Sequence, residues 1–297
     1  MRRALRLAAV ASTAACLLAA APVGGLASAQ ASPVVRRAVP AAGPAGVVAA
    51  AGELVNATSG APLWSRGLNT RHPMASLTKV MTAMVVLADG NLSRKIKVTA
   101  AAVQYASANH ATSAGLRPGD VLTASQLLEA MLLPSGADAA YLLANSYGPG
   151  WQAFVRAMNA RARSLGMTRT HFANFDGLPW PTPGATYSSP RDLIVMGEAA
   201  MKLAAFRAIV GQRGYGVRTT ASHHRYYWRN SDLLITSYRG AIGIKTGFTT
   251  AAGYCLLFDA TRGGTDLMGV VLDSTSTDPS MRFTAAERLL NWGFSHR

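Results

Sequence analysis

Lysine is the residue type through which this chain first suggests chemistry. Twenty-four arginines stand beside only five lysines, Lys79, Lys95, Lys97, Lys202 and Lys245. Arginine holds its proton permanently, whereas a lysine in apolar surroundings can release it. Two of the five lie in short polar patterns. Ser76-Leu77-Thr78-Lys79 separates a hydroxyl and an amine by three residues. On a helix that spacing brings both groups to one face, within contact range. Apolar neighbours then depress the amine's pKa until it can accept the serine proton. A serine at a helix N-terminus also meets the positive end of the helix dipole, which favours developing oxygen charge. Composition alone gives about 0.4 such patterns by chance, and a capped helix with a solvated lysine would look the same.

Lys245-Thr246-Gly247 is rarer, with about 0.04 occurrences expected from the residue counts. A glycine there lets a ligand backbone approach the strand closely. The lysine supplies charge and the threonine a hydroxyl for an anionic group. A third segment, Ser135-Gly136-Ala137-Asp138, follows Leu132-Leu133-Pro134. Its plainer reading is a helix start, with Ser135 as N-cap and Asp138 three residues on. The six histidines show no ligand spacing, so no metal site is expected. Phosphate-loop, dinucleotide and nucleophile-elbow motifs are missing, so no cofactor is expected.

The elements that would hold these pieces follow from the patterning. Strands read over 47–55 and 61–66, joined by the turn-rich 56–60. Helices read over 75–88, 124–133, 136–147, 151–165 and 190–204, the last opened by Ser189-Pro190. Strands return over 241–247, 252–260 and 266–273, and a final helix begins at Asp278-Pro279. His223-His224 falls in a Tyr/Trp/Arg-rich stretch that reads as a turn or strand pair. The expected fold class is α+β: an antiparallel sheet from both chain ends, packed with helices, around a mostly helical middle.

Composition and the N-terminus set the compartment. Hydrophobic residues make up 49% and charged residues 14%, which excludes a disordered polyelectrolyte. The cationic start Met1-Arg2-Arg3, the apolar run 7–21 and Ala27-Ser28-Ala29 form a secretory signal layout. Residues 1–29 are read as signal peptide, 30–45 as an Ala/Pro-rich linker and 46–297 as one domain. Cleavage after Ala29 removes Arg2, Arg3 and Arg6 and no acid, taking the formal charge from +15 to +12. The expected location is extracytoplasmic: secreted, periplasmic or wall-associated. The membrane is a partner only if the signal segment stays uncleaved as an anchor. Cys255 lies in an apolar strand-like run and reads as a packed thiol.

The three polar segments in this order resemble the penicillin-binding active-site serine enzymes, and within them the low-molecular-mass D-alanyl-D-alanine carboxypeptidases of peptidase family S11. Asn174 to Leu178, Tyr187 to Leu193, Asn230 to Leu234 and Gly243 to Thr249 extend the likeness over essentially the whole domain. The resemblance implies a DD-peptidase/β-lactamase-like fold. It implies Ser76 as nucleophile, Lys79 as general base and Ser135 as proton relay. Lys245, Thr246, Gly247, Phe248 and Thr249 would bind substrate, with the backbone N–H groups of Ser76 and Phe248 as oxyanion hole. The implied partners are a peptidoglycan stem peptide ending in D-Ala-D-Ala and β-lactams as covalent inhibitors; nucleic acid is not expected. Ala137 departs from the usual Asn of the second motif. A DD-transpeptidase or a β-lactamase on the same scaffold, or a non-catalytic wall-binding protein, are the alternatives. The lactamase reading is disfavoured because no Glu falls between 130 and 197.

Overall fold

The computed structural model describes residues 43–296. The signal segment 1–29 and most of the 30–45 linker lie outside them. The elements run in chain order. Strands β1 (Ala51–Asn56), β2 (Ala61–Arg66) and β3 (His72–Pro73) lead to helix α1 (Thr78–Asp89), then β4 (Lys95–Lys97) and α2 (Ala100–Ala108). Next come β5 (Val121–Thr123), α3 (Ala124–Leu132), α4 (Ala137–Ser146), α5 (Trp151–Ser164), β6 (Tyr187–Ser188), α6 (Pro190–Met201) and α7 (Ala204–Val210). The chain continues through β7 (Gly214–Val217), β8 (Tyr226–Arg229), α8 (Leu234–Ser237), β9 (Ala241–Thr249), β10 (Gly253–Arg262), β11 (Thr265–Leu272) and α9 (Met281–Ser295).

One five-stranded sheet has the order β2-β1-β11-β10-β9, antiparallel throughout, so the first and last strands meet at its centre. β10 is buried along nearly its whole length because both faces of the sheet are covered. On one face Leu54, Leu256, Phe258 and Val271 meet Phe283, Leu289 and Leu290 of α9. On the other, Val55, Leu257, Met268 and Val270 join the helical middle. A Cβ at Gly197 of α6 would lie 2.8 Å from Met268 Sδ, so glycine lets the helix approach the sheet without displacing the end of that side chain. α1 is buried nearly all round, as expected of a helix inside a helical layer. Each of its large apolar side chains contributes roughly 1.5–3 kcal/mol by burial. Ser189 caps α6 as expected, and Thr123 with Gln126 closes the capping box of α3.

The α+β class and the terminal strands match the sequence expectation; several boundaries differ. Residues 75–77 form a 3-10 turn before α1. The helix expected to reach 204 stops at Met201, and α7 follows as a separate helix. The final helix starts at Met281 because the Asp278 carboxylate accepts from Ser280 N and Oγ, closing a local turn instead. α2 was not expected: its sequence buries only Ala102 and Ala106, too little for a periodic signal.

Candidate active site

The nucleophile candidate stands on a strained turn. Ala75 has φ of +48°, a region that L residues with a side chain rarely occupy, and Ser76 follows it directly. Gly177 explains how the turn is held. A Cβ there would lie 1.8 Å from Ala75 O, so the backbone of the 174–180 loop presses against the strained residue. Asn174 fixes that loop. Its Nδ2 donates to Leu178 O (2.9 Å) and Trp180 O (2.7 Å), and its Oδ1 accepts from Gly177 N (2.7 Å). The N-x-x-G-L pattern is thus a clamp beneath the serine.

Lys79 Nζ lies 2.9 Å from Ser76 Oγ and donates to Asp176 O at 3.4 Å. The side chain is buried, and burial lowers its pKa from the ordinary lysine value; the Asp176 and Asp138 carboxylates pull the other way. Asp176 is held by Tyr105 Oη, which donates to its Oδ2 at 2.9 Å and itself accepts from Trp180 Nε1 at 2.9 Å. Burial pushes the Asp176 carboxyl up, and Lys79 opposes that rise. Lys79, beside Ser76 Oγ and biased by burial toward its neutral form, can therefore accept the serine proton.

Ser135 is a second strained residue, with φ of +71°. Its Oγ is buried and has no hydrogen-bond partner. The capping reading fails here: Gly136 is the N-cap of α4, and Asp138 instead accepts from Ser113 Oγ (2.6 Å) and Ala114 N (2.9 Å). A Cβ at Gly136 would lie 2.7 Å from both Ala114 Cβ and Ala130 O, so the loop needs glycine there. Ala137 is buried, and its N donates to Thr112 O at 2.8 Å.

The opposite wall is β9, the edge strand. Thr246 Oγ1 and Ser231 Oγ lie 2.7 Å apart. A Cβ on Gly247 would sit 3.0 Å from Met74 O and 3.3 Å from Ser76 N, so β9 passes close along the nucleophile turn. Lys245 is buried behind this wall, with Nζ donating to Thr246 O (3.2 Å). Burial lowers its pKa well below the ordinary value, and Lys79 and Arg282 push the same way. Burial raises Asp232 to about 6, with Lys245 and Arg282 opposing.

These walls enclose a cleft of about 400 Å³. Ser76, Lys79, Ser135, Thr246, Gly247, Phe248 and Thr249 all line it, as the sequence suggested. Lys245 does not; it acts on the cleft from behind Thr246. Arg282 lines the cleft instead and was not foreseen. α9 brings it there from 35 residues beyond Gly247, where its Nη1 donates to Gly247 O at 3.3 Å and its guanidinium lies 5.0 Å from the Tyr254 ring centroid. Ser231 was also missed as a lining residue. No acidic side chain lines the cleft among the described residues, while Lys79 and Arg282 do. Such a surface favours a carboxylate.

The sequence profile of the D-alanyl-D-alanine carboxypeptidase family, Peptidase_S11, matches residues 38–276. The chain belongs to that family. Family S11 enzymes are serine-type carboxypeptidases and penicillin-binding proteins that act on the cell wall. The chain is 42% identical over 261 residues to the D-alanyl-D-alanine carboxypeptidase of Streptomyces sp. strain K15, covering 84% of this chain and 88% of that protein. It is 36% identical over 242 residues to DacB2 of Mycobacterium tuberculosis, covering 80% and 79%. The crystal structure of the Streptomyces K15 DD-transpeptidase matches with a TM-score of 0.79 at 41% identity, over 84% of this chain and 98% of that one. The S11 fold is therefore the fold of this chain.

Proposed function

We propose that the protein trims peptidoglycan stem peptides ending in D-Ala-D-Ala through an acyl-enzyme on Ser76. The observation that carries this reading is the 2.9 Å approach of Lys79 Nζ to Ser76 Oγ inside a cleft that no acid lines among the described residues. Ser76 Oγ attacks the carbonyl of the penultimate D-alanine while Lys79 accepts its proton. The oxyanion is received by the backbone N–H groups of Ser76 and Phe248, a kind of stabilisation that is often the largest single contribution. The C–N bond then breaks, and Ser135 passes a proton to the departing D-alanine amine. Water cleaves the ester and frees Ser76. Thr246 and Arg282 take the terminal carboxylate, Lys245 supports them electrostatically, and Gly247, Phe248 and Thr249 offer the strand edge to the extended peptide. β-Lactams would acylate the same serine.

A second reading, transfer of the acyl group to an amine, has support from the Streptomyces K15 structure, which is described as a DD-transpeptidase. Water and an amine compete for one acyl-enzyme. A β-lactamase is less well supported, since among the described residues no carboxylate lines the cleft to position a hydrolytic water. The site is proposed to work outside the cytoplasm; among the described residues no helix is long and apolar enough to cross a membrane. Fluorescent penicillin is expected to label the wild type and leave Ser76→Ala unlabelled. Folded wild-type protein that takes no label would sink the mechanism. Release of free D-alanine from a pentapeptide, set against ligation to an added amine, divides the two outcomes.

A further inference from the structure

The hairpin β7–β8 has two unlike faces. Inward, Tyr226 and Trp228 are buried; Trp228 Nε1 donates to Ala114 O at 2.8 Å, and Tyr226 Oη and His224 Nδ1 engage Asp120. Those contacts fix the hairpin to the helical part. Outward, β-alternation places Arg229 opposite Gly214 and Tyr227 opposite Gly216, with Arg218 and Arg225 just beyond the paired residues. All three arginines are exposed, and Tyr227 is 63% exposed. Gly214 and Gly216 put no side chain on this face, and a Cβ at Gly214 would lie 2.8 Å from Tyr227 Oη. The ring therefore lies across the glycines, beside an open trough that Arg218, Arg225 and Tyr227 help to line. The chain from 199 to 231 contains no Asp or Glu. Asp120, the acid packed against the hairpin, is engaged on its inner side.

We propose that this outer face binds a linear phosphodiester polymer attached to the wall that carries the substrate. The identity of the polymer rests on the wall-substrate reading above; the binding face itself does not. A guanidinium pairs with phosphate through a two-pronged fork and keeps its charge. Arg225 and Arg229 are four strand residues apart, about 13 Å at the usual rise. Tyr227 lies between them on the same face and offers its exposed ring to the uncharged polyol or sugar unit between two phosphates. The hairpin runs straight into Ser231, a lining residue of the catalytic cleft. A polymer held here would keep the cleft beside the wall between turnovers.

The test is fluorescence anisotropy with labelled poly(glycerol phosphate) over a range of salt concentrations. The wild type should bind, with affinity falling as salt rises. The triple substitution Arg218→Ala/Arg225→Ala/Arg229→Ala should weaken binding at least tenfold and flatten the salt dependence. Tyr227→Ala should weaken it with the salt slope unchanged. Both variants should still take fluorescent penicillin, which shows that they are folded and reports the catalytic reading separately. Equal polymer binding by the triple variant and the wild type would overturn the proposal. So would tighter wild-type binding to single-stranded DNA or to phosphatidylglycerol vesicles than to the polymer.

Discussion

The catalytic cleft and the β7–β8 hairpin are both rich in cations and poor in acids, yet they treat charge in opposite ways. Lys79 and Lys245 are each only 1% exposed, and burial lowers both of their pKa values. Arg218, Arg225 and Arg229 stand in solvent. A buried amine has a charge that can be given up, which is what Lys79 needs beside Ser76 Oγ to act as a general base, a task not given to Lys245. An exposed guanidinium has a charge that persists, which is what holding a polyanion needs. The contrast belongs to these two regions: elsewhere Lys95, Lys97 and Lys202 are exposed as well, and Arg282 lines the cleft.

Lys79→Arg attacks that contrast most directly. It keeps the charge and removes the ability to lose it, so acylation should slow by about 10²–10⁴-fold, measured as the rate of penicillin labelling. A Lys79→Arg variant that acylates at the wild-type rate would break the comparison. Asp259 carries the same logic to an acid. Burial, and then the nearby Asp266 carboxylate, raise it to about 9 from an ordinary 3.8. The folded state therefore keeps a proton that the unfolded state gives up, so this group costs stability increasingly as pH rises from 3.8 to about 9. Asp259→Asn should remove the penalty, with a gain on the order of a few kcal/mol at the alkaline end and none below pH 3.8. Urea unfolding at several pH values checks it; a gain independent of pH would refute the assignment.

Arg282→Gln should be milder. A charged hydrogen bond contributes about 1.5–3 kcal/mol, so kcat/KM should fall roughly 10- to 100-fold for a peptide with a free C-terminal carboxylate. A substrate amidated at that end should show little change, and an equal loss on both would count against carboxylate binding. Arg225→Gln should fall within about 0.5 kcal/mol of wild-type stability and leave peptide turnover as it was, since the side chain is solvated.

How much of this was legible in the sequence depends on how far apart the partners lie. Ser76 and Lys79 are one helical turn apart, so spacing alone placed them together. The terminal strands of the sheet carry continuous apolar runs and could be read directly. Arg282 could not: it reaches Gly247 only because α9 packs across the sheet, and nothing in its own neighbourhood marks it. Asp176 lies 97 residues from Lys79 and becomes its neighbour through the Asn174 clamp. The Ser135 segment misled the local reading, because Asp138 turns to Ser113 and Ala114 and leaves the serine unpartnered. The β7–β8 aromatics left a turn or a strand pair open, and which face they buried depended on Ala114 and Asp120, far earlier in the chain.

The sheet order has one consequence for the life of the chain. β1 is hydrogen-bonded to β11, and the cleft draws on residues from Ser76 to Arg282. No N-terminal portion of a growing chain can hold the site, because the strand that must dock beside β1 arrives almost last. The long sequence separation of these contacts also slows their formation. A partly synthesised chain therefore holds no assembled cleft; the site forms only once the residues up to Arg282 are available.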